Sequence, residues 1–482
     1  MIYSLEETFR KGAQYPPVDE IKRREAYRVN DMLLNDEPWV ALPEYRKRVD
    51  YVLGNFQLAD RGASYYYDAN YWQDLVEKMQ ELVFGDAPEY TASTETDTNT
   101  LQKTVIETDF ATKVNEGLVD FVSLGDWVTK IEQTKNGYMF TNVNPSMWYP
   151  IVSRENVKEI KAHVLAWLVP IGGDKYELHV QVHEVGKYTN FAFAVDKYEK
   201  DAYYLDEKTK QRIDCPVATL GKMLEKSATD FVLGEKNTGL DDFAIIASAN
   251  NAKTRSIYGA SDFDKITESA MEYNVRMTLK NAVLDKHSAP IMYGAPLHGD
   301  GVGDIGNYIE VNAGQTTPNY LVWDASMASV ENTINKAQED IANLSGLGSL
   351  LSSKTFGESQ GYDALMIKLA PALMKTAKKR KIIEGHLKKL LSLLSGGYGA
   401  RVAVRDIHIG WKDGIPTTES VRADIAQKHL NTGWSIYDVL TRDYGWTPEA
   451  AELAIERKRD ETPAVPSFGM FDDSGTGEEE QE

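Results

Sequence analysis

The sequence predicts an α+β protein, mainly helical, and three observations carry that prediction. Apolar residues recur every three or four positions near the N-terminus and again between residues 261 and 394, the spacing of one helix face. Between about 125 and 245 the period falls to two, as in a strand. Clusters of Gly, Ser, Pro and Asn punctuate the runs.

Taken in order, residues 1 to about 90 read as helical and aromatic. Tyr65, Tyr66, Tyr67, Tyr71 and Trp72 lead into "DLVEKMQELVFG", where Leu75, Met79 and Leu82 share a face and Gly85 is the stop. "TASTETDTNT" (91–100) reads as a polar loop, followed by one helix to about Phe121. "YELHVQVHEV" sets Leu178, Val180 and Val182 against His179, Gln181 and His183. With "NFAFAVD" it predicts a half-buried antiparallel meander. The two histidines are then expected to face solvent, since a metal site would need further ligands from a partner strand.

Ser261 followed by Asp264 resembles a capping box. It opens an expected helix with Phe263, Ile266, Ala270, Met277 and Leu284 on one face, ended by Pro290. Its length is roughly 38 Å. The Gly-rich stretch that follows reads as a small β module. Its "GDGVGDIG" lacks the Gly-Lys-Ser/Thr of a phosphate loop. A second helix covers about 325–344, and "SGLGSLLSSKTFGESQG" reads as a mobile loop. The third helix, about 360–394, would be roughly 50 Å long, with a kink at Pro371.

That helix holds "KTAKKRKIIEGHLKK", seven basic residues in fifteen. On a helical wheel Leu365, Leu369, Leu373, Ile383, Leu387, Leu390, Leu391 and Leu394 form one sector. Lys375, Lys378, Lys379, Lys381, Lys388 and Lys389 fall mostly opposite, with Arg380 at the border. Such a cationic stripe faces solvent, a polyanion or an acidic protein surface. One or two strands and three short helices complete the fold, the second starting at Ser435 and the third capped by Thr447 with Pro448 first. The tail from Glu461 carries seven acids and no base and reads as disordered.

Composition narrows the function classes. The 482 residues, 42% hydrophobic, suffice for about two to four domains. No apolar run reaches the roughly 18 residues of a membrane span, and the N-terminus lacks the apolar core of a secretory signal. The single Cys215 cannot form an internal disulfide, which favours a reducing cytoplasm. A net charge of −20 argues against a surface that coats nucleic acid. No Gly-x-Ser-x-Gly elbow or His-Glu-x-x-His is present, and neither metal nor cofactor is expected.

Several stretches, in order, resemble the portal proteins of tailed double-stranded-DNA bacteriophages, of the siphophage type found in a Bacillus phage. "VNPSMWYPIV" is similar to the family's entry into its β region. "YGASDFDKITESAMEYNVRMTL" is similar to the start of its long helix, with Asn274 at the family's Asn position. "TFGESQGYDALMIKL" is similar to the start of its channel helix, with Gly361-Tyr362-Asp363 where the family has Ser-Gly-x. "IHIGWKDGIPTTESVRADIAQKHLNTGWSIYDVL" is similar to its last strand, Pro turn and terminal helices.

The resemblance implies a portal fold, closed into a ring of about twelve copies at one capsid vertex. It implies a wing over 1–245, a first stem helix over 246–289, a clip over 290–324 and a second stem helix over 325–344. A tunnel loop over 345–359, a channel helix over 360–396, wing strands over 397–416, a crown over 417–461 and an acidic tail over 462–482 complete it. Double-stranded DNA passes through the ring during packaging and ejection. Implied partners are the terminase large subunit, the major capsid and scaffolding proteins and a head–tail adaptor, with no membrane. The implied location is the virion, and the host cytoplasm during assembly. The DNA-facing candidates are Ser349, Ser352, Ser353 and Lys354 in the loop, and Lys375, Lys378, Lys379 and Lys381 on the helix. Another virion component of tail or capsid, or a carboxylate-based hydrolase, are the alternatives.

Overall fold

Alternation in the middle of the chain builds the largest sheet of the computed structural model. The structure describes residues 2–55, 66–205, 212–288, 292–294, 308–310, 319–320, 327–351, 362–411, 419–444 and 448–461. The sheet runs Gln14–Tyr15, Val217–Met223, Lys187–Glu199, Lys175–Glu184, Ile160–Gly172 and Trp148–Val152 in spatial order, with Gly234–Asn237 also paired to Lys187–Glu199. Every pairing is antiparallel. Leu178, Val180 and Val182 enter a core with Tyr15, Tyr149 and Phe193.

The opposite face is buried too, which corrects the expectation of solvent-facing histidines. His179 and His183 expose 3% and 0% of their surface. Phe231, Trp167 and the turn at Ser227 and Thr229 enclose His179, while His183 lies near Lys130 of a second sheet, Ile245–Ala249, Asp126–Thr134 and Gly137–Asn142. Its Val128 and Ile245 share an apolar cluster with Trp148, Val152 and Leu165 of the larger sheet. Lys130 donates to Gln181 at 3.0 Å. Alternation reports two faces but not what covers each.

Helices Ile21–Leu34, Pro43–Asn55 and Tyr71–Phe84 supply the N-terminal layer. Trp72, Leu75, Met79 and Val83 of the last are buried in the main core. The polar stretch 91–100 is not a loop. It contains the end of strand Glu89–Ala92 and the start of helix Glu95–Glu107. Thr94 caps that helix by accepting from the Asp97 N–H at 3.1 Å, and only Leu101 and Thr104 of it are buried. The expected single helix is two, because Asp109 adopts φ 50° before Phe110–Ser123.

The helix expected from Ser261 begins later. Ser261 accepts from the Phe263 N–H at 3.0 Å rather than boxing with Asp264, a 3-10 turn spans Phe263–Lys265, and the α-helix covers Thr267–Ser288. It packs against Met327–Ser345, where Lys280 donates to Glu331 at 3.4 Å and Gln338 to the Tyr273 hydroxyl at 3.2 Å. Seven residues back along one helix are seven forward along the other, so the pair is antiparallel. Between them Met292–Gly294 pairs parallel with Tyr308–Glu310 and antiparallel with Asn319–Tyr320.

The helix Tyr362–Ser395 spans 34 residues and runs through Pro371. Its Ile383, Leu387, Leu390, Leu391 and Leu394 are fully buried in the main core. One strand follows, Ile407–Gly410, paired with Glu89–Ala92.

Contacts divide the chain into two units, Met1–Gly414 and Ile415–Glu482. In the second, helices Glu419–Asn431, Ile436–Asp438 and Pro448–Glu461 are described. Ser435 caps the middle one by accepting from the Asp438 N–H at 3.0 Å. Thr447, the "GDGVGDIG" segment and the acidic tail lie outside the described residues. No described helix is long and apolar enough to cross a membrane.

Candidate functional site on the long helix

The cationic stretch divides into two populations. Lys379 exposes only 3% of its surface. Its Nζ lies 2.7 Å from Asp262 Oδ2 and donates to Asn250 Oδ1 at 2.8 Å. Lys375 Nζ lies 3.1 Å from the same carboxylate oxygen and donates to the Ser345 carbonyl at 2.6 Å. These two lysines therefore leave the set of outward-facing candidates. The wheel explains why: Lys379 stands three residues after Thr376 and four before Ile383, both buried, so it belongs to the inward sector.

Burial alone would raise the Asp262 carboxyl. The Lys379 and Lys375 ammonium groups outweigh it and hold Asp262 down at about 2. Burial pulls Lys379 down to about 8, with Asp262 opposing it. Both partners are charged at neutral pH.

Lys378 and Lys381 are exposed. Lys388 pairs with Glu384 at 2.7 Å and Lys389 with Asp242 at 3.1 Å. Arg380 donates to the Leu82 carbonyl at 2.7 Å and stacks over Trp411. Ser349 sits in a 3-10 turn, Gly348–Leu351. Ser352, Ser353 and Lys354 lie outside the described residues.

The partner of these lysines comes from "YGASD", residues 258–262, which ties together elements from across the first unit. Tyr258 lies under the Arg23 guanidinium. The Gly259 N–H donates to Asp126 Oδ1 at 2.9 Å, and the Ala260 N–H to the Asn250 carbonyl at 2.8 Å. Ser261 donates to the Ser123 carbonyl, and Asn251 donates to Asp262 Oδ1 at 2.9 Å. Downstream, the buried Asn274 accepts from the Ala69 N–H at 3.0 Å and donates to Asp68 at 3.1 Å. Sequence reading noticed Asp262 and Asn274 as motif members but missed their partners. The one sequence signal was that Lys379, grouped with the outward lysines on the wheel, lies next to the edge of the apolar sector marked by Leu390.

Other polar clusters are internal. His386 stacks on Trp127 at 4.2 Å between Ser248 and Thr129. Glu177, His179 and Ser227 meet, but Ser227 donates to Glu177 at 2.6 Å while His179 turns the same Nε2 toward both. A relay needs the two ring nitrogens on different partners, so this cluster anchors the 227–229 turn instead. Among the described residues no three His, Cys, Asp or Glu side chains gather as a metal ion would need.

No protein-family model matches this chain, and no curated protein matches it.

Proposed function

We propose that this chain is the subunit of a phage portal: a ring at one capsid vertex through which double-stranded DNA is packaged and ejected. One observation carries the reading. An antiparallel helix pair, Thr267–Ser288 and Met327–Ser345, brackets three short paired strands and is followed by the long helix Tyr362–Ser395. The order of these parts matches the stem, clip, stem and channel helix that the sequence resemblance implies.

In this reading the ring is a conduit rather than an enzyme, and the energy for packaging comes from the terminase. The capsid and scaffolding proteins surround it, and a head–tail adaptor docks on it later. The acidic balance of the chain, −20 per copy, keeps DNA from binding tightly, because each neutralised phosphate adds affinity. Ser349 with the residues after it would approach the DNA. Lys378 and Lys381 would face either the DNA or the adjacent subunit.

Electron microscopy and native mass measurement of the purified chain test the proposal. The expected particle is a ring with a central hole, of about twelve copies. A monomer or compact small oligomer at all concentrations would exclude it.

A further inference from the structure

About five turns of the long helix present one outward stripe. Ile367, Pro371, Met374, Lys378, Lys381 and Gly385 follow one another at alternating spacings of four and three, and all six are exposed. Ile367 and Met374 each leave 75% of their surface to solvent. Lys378 and Lys381 have no ion-pair partner among the described residues. A phosphate-binding surface gains from the lysines but nothing from large apolar side chains in line with them. A protein contact uses both, an apolar centre with a charged rim.

A complementary surface exists on the same chain. Helix Ile21–Leu34 packs on helix Phe110–Ser123, and Asp31 of the first and Glu116 of the second lie close enough for their charges to act on Asp120. No base pairs with any of the three among the described residues. Burial, then the charges of Asp31 and Glu116, raises Asp120 to about 7. Before helix Tyr71–Phe84, burial and then the charge of Asp36, just past the end of the first helix, raise Asp68 to about 7 as well. Val40, close by in sequence, is 57% exposed. An incoming ammonium group would offset this crowding of like charge.

We infer that the Ile367–Lys381 stripe of one subunit docks on the Asp31–Glu116–Asp120 face of a second copy of this chain. The contact joins two different patches, so it repeats head to tail and closes into a ring when the rotation allows. It rests on the proposed ring and assigns the two exposed lysines to the neighbouring subunit rather than to DNA.

Charge exchange tests it, with native mass at fixed concentration and salt as the readout. Lys378→Glu with Lys381→Glu is one variant, and Asp31→Lys with Glu116→Lys the other. All four positions are exposed, and far-ultraviolet circular dichroism checks that each variant folds. Each alone is expected to weaken assembly at least tenfold. Mixing the two restores oligomers, since each then presents what the other lacks. Ile367→Ser with Met374→Ser weakens assembly without rescue by mixing. If the wild type forms rings and both charge variants form them equally well, the inference is overturned and the ring reading stands. A loss of affinity for short duplex DNA in the lysine variant, with rings intact, would assign the stripe to DNA. A wild type that stays monomeric overturns the ring reading and this contact together.

Discussion

Lys379 Nζ stands 2.7 Å from Asp262 Oδ2, and the two side chains are 4% and 5% exposed. The middle of the long helix is thus joined by charge to the turn that precedes helix Thr267–Ser288. Removing one member of a buried pair leaves the other uncompensated, at a cost of about 3–5 kcal/mol. Asp262→Ala is expected to lose about that much in urea unfolding. Asp262→Ala combined with Lys379→Met should lose less than Asp262→Ala alone, because the stranded ammonium is gone. Equal unfolding midpoints for Asp262→Ala and the wild type would refute the role given to this pair.

Gly259 and Gly385 should respond oppositely to the same substitution. A Cβ on Gly259 would sit 1.9 Å from the Gly125 carbonyl oxygen and 2.6 Å from that of Asn250. Gly259→Ala therefore forces backbone apart at the centre of the motif, and insoluble or unfolded protein is expected. A Cβ on Gly385 meets nothing within 4 Å. Gly385→Ala should stabilise the helix by roughly 0.5–1 kcal/mol. Thermal midpoints of the two variants check both directions.

Acid should destabilise the fold from about neutrality downward. Burial holds His163, His183 and His386 down at about 3, helped by Lys389 near His163 and His386 and by Lys130 near His183. The unfolded chain takes up these protons near 6.5. It therefore binds more protons than the fold between about 6.5 and 3, and stability falls as pH is lowered through that window. The slope is at most about 1.4 kcal/mol per pH unit for each histidine. Asp68 and Asp120, raised to about 7, act in the opposite sense. Their contribution is present at low pH and is lost as pH rises toward 7. His386→Gln should make the acid limb of a midpoint-against-pH curve shallower. An unchanged limb would mean that His386 takes up its proton without unfolding.

Asn274 spends both ends of its amide on the segment before helix Tyr71–Phe84. Asn274→Ala strands the Ala69 N–H and removes a donor from Asp68. A loss of about 1–3 kcal/mol is expected for the buried group left unsatisfied. Asn274→Asp places a second acid beside Asp68 and should cost more at pH 8 than at pH 5. Denaturant titrations at the two pH values distinguish an electrostatic clamp from simple packing.

Local chemistry was legible in advance. The 3.6 period located the antiparallel helices and the long helix to within a few residues, Gly85 and Ser435 marked real boundaries, and alternation found the meander. Boundaries failed where a short polar side chain decided them. Thr94 turned an apparent loop into a helix, and the φ 50° of Asp109 split one helix in two.

What the chain determines by itself is therefore which residues share a face, because that follows from backbone geometry within a few turns. Which face is covered, and which charge is neutralised there, was settled only by the tertiary structure. His179 became a core residue because Phe231 and the turn at Ser227 fold over it, and His183 because the strand's other end meets Lys130 of a second sheet. Lys379 left the solvent because Asp262, distant in sequence, reaches the same point in space. Burial and pairing are properties of two surfaces at once, and periodicity in one segment describes only its own.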